Sequence, residues 1–210
     1  MPISKIEDAI KAIAAGEMVI VVDDEDRENE GDLIFASEDA TAEKIAFMMN
    51  KARGLICIAM EGARLDELDL PLMVPNNTES MKTAFTVSVD YIPGTSTGIS
   101  AADRALTVKA LVDPAARPEE FARPGHIFPL RANPEGVIGR TGHTEAAVDL
   151  CRLAGKLPAG VICEISNDDG TMARLADLER FAEQHGLLVV TIKDLVEYRL
   201  GLESSKRSAA

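Results

Sequence analysis

Tryptophan is absent from this 210-residue chain, and six phenylalanines and two tyrosines make up its aromatic content. Its core material is therefore Ala, Leu, Val and Ile. No run approaches the roughly 18 apolar residues of a membrane span. The opening stretch MPISKIEDAIKAIAAG lacks the basic region, apolar core and small-residue cleavage site of a signal peptide. Cysteine is scarce: Cys57, Cys151 and Cys163 lie in apolar contexts without paired spacing, which suits a reducing cytosol and not a disulfide framework. Basic residues are also few, 22 against 35 acidic ones, for a net charge of −13. Such a chain repels phosphate backbones and acidic bilayers, so neither nucleic acid nor membrane is expected as a partner. A small anionic substrate is still compatible where arginines and helix N-termini are concentrated. No GxGxxG, P-loop, G-x-S-x-G or HExxH pattern occurs, which removes several common enzyme classes.

What is present reads as alternating helices and strands. Ser4 and Glu7 form an S-x-x-E capping box before Ile6, Ile10 and Ile13, with Gly16 as the stop. Strands are expected at 17–22 and 32–37, then a helix capped by Thr41 with Ile45, Met48 and Met49 inward, ending at Gly54. LICIA (55–59) reads as a strand, EGARLDELDL as a short helix and TAFTVSVDY as a strand with one polar face. A helix starts at Ser100 with Ala102, Leu106, Ala110 and Leu111 inward, and 116–125 is a connector. HIFPLRA is a strand that Pro129 demotes to an edge or bulge. Helix 144–154, strand 160–166, an amphipathic helix, strand LLVVT and helix IKDLVEYRLG complete the chain. Adjacent strand pairs among irregularly spaced helices predict one α+β domain over 1–203: a mixed sheet flanked by helices, layered α/β/α. The polar tail 204–210 is expected to be flexible.

Three segments could carry chemistry. DDEDRENEGD (23–32) packs seven of the 35 acids between two core strands. Laid over the calcium-loop pattern with Gly31 as the invariant glycine, its twelfth position falls on Ser37, which cannot supply a bidentate carboxylate. A solvated acidic face and a site for a hard cation such as magnesium remain open, since crowded carboxylates repel and a divalent ion relieves them. GRTGHTEAAVDL (139–150) sets His143 at a helix start, with Thr144 as cap or first-turn residue; free N–H groups and Arg140 there suit a phosphate. Glu164, mid-strand in GVICEIS, must be paired, ligated or raised in pKa. His126 at the mouth of a strand could reach a cleft, whereas His185 merely complements a helix C-terminus. Ser96, Thr97 and Ser100, beside Gly94 and Gly98, read either as an anion loop or as an ordinary glycine loop.

Together, DDEDRENEGDLIFA, TAFTVSVD, TGISAADRALT, RPGHIFPL, GRTGHTEAAVDLCRLAG and PAGVICEISNDDGTMAR resemble the 3,4-dihydroxy-2-butanone 4-phosphate synthases of riboflavin biosynthesis, in order, over about residues 5–200. The chain looks like the monofunctional form, without a fused GTP cyclohydrolase II. The resemblance implies a cytoplasmic lyase, homodimeric with sites near the interface, that uses Mg2+, or Mn2+ in its place. It converts D-ribulose 5-phosphate to L-3,4-dihydroxy-2-butanone 4-phosphate and formate by enolisation, dehydration, skeletal rearrangement and loss of C4. Glu28 and His143 match its metal ligands. Arg27, Glu28, Asp32, Arg140, Thr141, Gly142, His143, Thr144 and Glu164 match its substrate contacts. His126 and Glu164 match positions essential for catalysis, Cys57 aligns with a cysteine lining the site, and Asp32 or Glu164 is favoured as the base. Rival readings are another metal-dependent sugar-phosphate enzyme, an isomerase or phosphatase, and a non-catalytic acidic metal-binding module.

Overall fold

The computed structural model describes residues 3–208, with side chains described through residue 205. Among these residues, seven strands form one mixed sheet: β1 Val19–Val22, β2 Gly31–Ala36, β3 Cys57–Met60, β4 Val89–Tyr91, β5 Phe121–Arg131, β6 Ala159–Glu164 and β7 Leu188–Thr191. Their spatial order is β4-β5-β3-β6-β2-β1-β7. The α-helices are α1 Ile6–Ala14, α2 Ala42–Phe47, α3 Gly62–Glu67, α4 Ala101–Val112, α5 His143–Leu153, α6 Leu175–His185 and α7 Ile192–Ser208.

Strand alternation divides the core in two. Ile20, Leu33, Phe35, Ile58, Val161 and Cys163 face Ile45, Val108, Leu111 and Leu178 of α2, α4 and α6. Val19, Val21, Ile34, Cys57, Ala59 and Ile162 face Ile13, Ala146, Leu150 and Leu195 of α1, α5 and α7. This is the α/β/α layering expected of the sequence. Central strands covered on both faces explain why VIVV and LIFA read as unbroken apolar runs.

Local expectations fail where backbone partners lie far away in sequence. Ser4 does not cap α1: Lys5 stands at the N-cap, and the Ser4 N–H goes to the Val189 carbonyl at 2.7 Å, tying the chain to β7. Thr41 caps α2 as expected, but the helix widens after Phe47 into a π turn over Met48–Ala52 and turns Met49 outward. Ala105, Val108, Ala110 and Leu111 form the inward side of α4, while Ala102 is exposed. The connector before His126 is strand from Phe121 onward, and β5 lies inside the sheet. Pro129 is tolerated there because it faces the irregular 84–88 segment. Thr86 donates both its N–H and its hydroxyl to the Pro129 carbonyl, each at 2.9 Å. Helix α7 continues past Gly201 to Ser208.

A buried ion cluster holds α5 against α7 and the turn before it. Asp149 is fully buried and accepts the Val137 N–H at 2.9 Å and Arg152 at 2.7 Å, and it also pairs with Arg199. Removing the carboxylate leaves the buried Val137 amide without its acceptor and takes the shared counter-charge from Arg152 and Arg199, which among the described residues keep only Glu61 and Glu203. Asp149→Ala is therefore expected to lower stability by about 3 kcal/mol, read as a shifted urea midpoint. A loss under about 1 kcal/mol would show that the cluster is not a structural anchor.

Candidate active site

Four short elements converge at one end of the sheet, on the α5 face. Antiparallel register sets Asp32 of β2 opposite Glu164 of β6 on one side and opposite Val21 of β1 on the other. His143 is the first residue of α5, with Gly142 at the N-cap. Its Nε2 lies 3.1 Å from the Val21 carbonyl. A carbonyl only accepts, so Nε2 carries a proton in either charge state, and Nδ1 is the nitrogen that can give up its proton and offer a lone pair. That nitrogen faces Glu28 Oε2 at 3.7 Å and Asp32 Oδ1 at 3.9 Å.

Glu28 reaches this point because the acidic segment is a folded loop. The Asp23 N–H closes it onto the Glu30 carbonyl at 3.2 Å. The Asp23 carboxylate, buried, accepts Arg27 Nη1 at 2.8 Å, the Glu28 N–H at 3.1 Å and the Glu30 N–H at 2.8 Å. Asn29, at φ 54°, supplies the reversal. Asp24, Glu25 and Asp26 are exposed, so only part of the run is a solvated face. Asp23 is not solvated; it organises the loop.

Asp23, Glu28 and His143 each offer a ligand atom within 4.8 Å of the others. Asp23 already receives three N–H donors, which leaves Glu28 and His143 as the pair with lone pairs to spare. Asp32 Oδ1 is buried and has no hydrogen-bond partner. An orphaned acceptor beside an imidazole nitrogen and a carboxylate is the donor set a hard divalent cation satisfies, so these residues fit one. Charge coupling follows from the geometry. The nearby His143 holds the Glu28 carboxyl down at about 2, against the opposing effect of burial and with help from Arg27. Burial pushes Asp32 up to about 7, offset in part by His143 and reinforced by Glu164, Glu28 and Glu30. For His143 burial acts downward, but Asp32, Glu28 and Asp23 outweigh it and raise the imidazole to about 9.

The other expected residues fall into two groups. Glu164 accepts the Leu55 N–H at 2.7 Å, and a Cβ at Gly54 would overlap its carboxylate, so glycine is required there. Cys57 is buried on the same face; burial, then Glu164 and Asp32, push its thiol well above its ordinary range, so it is neutral. Arg27 bridges Asp23 and Glu28. Arg140 pairs with buried Glu145 at 2.6 Å and donates to Thr83 Oγ1 at 2.9 Å. It flanks a helix start where Thr141 is exposed and Thr144 buried, and whose first N–H groups lack intrahelical partners. His126 stands apart. Its side chain is 43% exposed and pairs with Asp90, Nδ1 to Oδ2 at 2.6 Å. Strands β3 and β6 separate β5 from β2, a lateral span of about 14 Å at ordinary strand spacing.

Sequence reading missed Asp23, Asp90 and Glu145. Asp23 had a signal, being the first polar residue after a core strand, where Asp commonly bonds backbone further on. Glu145 had one as an acid in the first turn of α5. Asp90 had none, because its partner lies 36 residues away. The 94–98 loop is no open anion cradle: Ser96 and the Gly98 N–H both donate to Asp103, and Ser100 caps α4. A broad surface cavity of 660 Å³ lined by Lys51, Arg53, Asp168 and Arg180 contains none of the predicted residues.

The family model for 3,4-dihydroxy-2-butanone 4-phosphate synthase matches residues 7–198. A protein of that name from Agrobacterium fabrum is 78% identical over 201 residues, covering 96% of this chain and 94% of its own. The riboflavin biosynthesis protein RibBA of Aquifex aeolicus is 58% identical over 95% of this chain, which spans 50% of that longer protein. Among solved structures, a 3,4-dihydroxy-2-butanone 4-phosphate synthase in complex with two magnesium ions superposes with a TM-score of 0.91. It is 48% identical, and the match covers 95% of this chain and 98% of that one.

A cation on His143 Nδ1 must displace a proton held with a pKa of about 9. Affinity for Mn2+ is therefore expected to rise about tenfold per pH unit from pH 7 toward 9 and then flatten. Below pH 7 the rise steepens as the Asp32 proton, held at about 7, is also released. Titrations between pH 6 and 9 read the slope directly. A flat profile removes His143 from the ligand set.

Proposed function

The chain belongs to the 3,4-dihydroxy-2-butanone 4-phosphate synthase family, and from that premise we propose that it converts D-ribulose 5-phosphate to L-3,4-dihydroxy-2-butanone 4-phosphate and formate. The observation that carries this reading to particular residues is the convergence of His143 Nδ1, Glu28 Oε2 and the partnerless Asp32 Oδ1. Glu28 and His143 hold Mg2+, with Mn2+ as a substitute. When bound, the cation stabilises negative charge developing on the C2 and C3 oxygens.

The chain's own groups do the rest. Arg140, the first-turn N–H groups of α5 and Thr144 anchor the phosphate, with Arg27 alongside, fixing the sugar so that its reacting carbons lie over the carboxylate row. Asp32 takes the C3 proton. Its carboxyl is raised to about 7, near the value at which a group both accepts and returns protons at neutral pH. Glu164, held by the Leu55 N–H, faces the substrate from the adjacent strand and assists departure of the C1 hydroxyl. Cys57, neutral and buried, lines the floor.

His126 completes the site from a second subunit. Within one protomer the His126–Asp90 pair stands strands away from Asp32, and a homodimer with its sites at the interface is the arrangement in which the partner's imidazole would reach the cluster. The enzyme acts in the cytoplasm, in keeping with three unpaired cysteines and with the lack of any helix long and apolar enough to cross a membrane among the described residues.

Purified protein with Mg2+ and D-ribulose 5-phosphate is expected to release one formate per sugar consumed. Sugar consumption that yields inorganic phosphate or an aldose in place of formate overturns the reading. Glu28→Ala and His143→Ala are each expected to cut turnover at least about a hundredfold while leaving the unfolding midpoint within a few degrees. Near-normal turnover of either variant at limiting metal excludes that residue as a ligand.

A further inference from the structure

The loop that carries Glu28 is held from outside by a residue the chemistry above does not use. Within the loop, N–H groups of residues 26–30 donate to the carboxylates of Asp23 and Asp24. Among the described residues, the residue of another element that donates to the backbone carbonyls of positions 24–30 is Arg174, the N-cap of α6. Its Nη1 donates to the Glu28 carbonyl at 2.9 Å and also to the Asn29 carbonyl. These two carbonyls bracket the peptide where Asn29 reverses the chain at φ 54°, the turn that points the Glu28 side chain inward. The Arg174 backbone is fixed, its main-chain N–H accepted by the Asp177 carboxylate at 3.0 Å. One turn further along α6, Leu178 packs so closely on Gly31 that a Cβ there would overlap it. The first turn of α6 is thus the outer wall of the acidic loop.

We propose that Arg174 is a positioning residue for the metal site: it holds the Glu28–Asn29 backbone so that the Glu28 carboxylate faces His143 before any cation arrives. The proposal rests on the assignment of Glu28 and His143 as ligands. Both bonds leave one terminal nitrogen, Nη1, whose two N–H groups lie in the guanidinium plane and can serve two adjacent carbonyls. Outer partners of this kind set metal affinity through the order of the ligand, not through contact with substrate.

The test uses the full chain as Arg174→Ala and Arg174→Lys, with Mn2+ as the probe in the absence of substrate. For Arg174→Ala the Mn2+ dissociation constant is expected to rise about tenfold, amide exchange to quicken in residues 24–30 but not in β1 or β2, and turnover at saturating Mn2+ to return to within about threefold of normal. Arg174→Lys should fall between the two proteins on the first two readouts. If Arg174→Ala proves too unstable to handle, the lysine variant carries the same readouts. An unchanged dissociation constant, or a weaker one with loop exchange unaltered, overturns the proposal. Formate release by the unaltered protein tests the enzymatic reading separately, because metal binding without substrate does not depend on it.

Discussion

One buried hydrogen bond sets the geometry of the whole site: His143 Nε2–H to the Val21 carbonyl, 3.1 Å. It docks the amino end of α5 on β1 and fixes the tautomer. By spending Nε2–H on backbone, it turns Nδ1, the nitrogen that can exchange its proton for a cation, toward Glu28 and Asp32. The rest of the arrangement supports that bond. Asp149 with Arg152 and Arg199 holds the body of α5, and Glu145 draws Arg140 and the Asn133 N–H onto its first turn. Strand β1 is in turn held between β2 and β7. An imidazole placed this way needs a rigid helix on one side and a rigid strand on the other. The fold supplies both.

The second constraint is electrostatic. Antiparallel pairing places Asp32 beside Glu164, two acids on neighbouring strands of one face, and like charges so placed oppose each other. In the protein alone, protons relieve it: burial, with Glu164 adding to it, drives Asp32 up to about 7, and the surrounding carboxylates outweigh burial to raise His143 to about 9. Each proton occupies a position that a cation can take over. The strain of the acidic row is therefore what favours a divalent ion there, and protonation and metal binding compete for the same lone pairs.

How much of this could be read from the chain depends on the range of the interaction. Strand cores such as VIVV, helix caps at Thr41 and Ser100, and the α/β/α layering follow from patterns a few residues long, and they were legible. The Ser4 box failed because its N–H is drawn to Val189, far along the chain, and β5 was underestimated because pairing partners, not propensity, extend it through 121–125. At the site, the resemblance to a family singled out Glu28 and Asp32 within the acidic run, but the part Asp23 plays was not legible. Seven acids in ten positions look alike in sequence. The fold supplies the physical difference: Asp23 spends its carboxylate on three N–H groups, whereas Asp32 Oδ1 has no partner and Glu28 faces His143.

That separation explains why the acidic run needs its length. A single carboxylate on a short turn between β1 and β2 would sit in solvent, because a tight hairpin leaves no room to reach back over the sheet toward α5. With Asp23 gathering Arg27, Glu28 and Glu30 around itself and Asn29 reversing the chain, the loop folds inward and Glu28 arrives at His143 from above. The exposed acids, Asp24 to Asp26, lie on the outer side, where water screens them and their crowding costs little. The run is thus two things in sequence order. It begins as a staple with a solvated outer bend, and it ends as the part that faces His143.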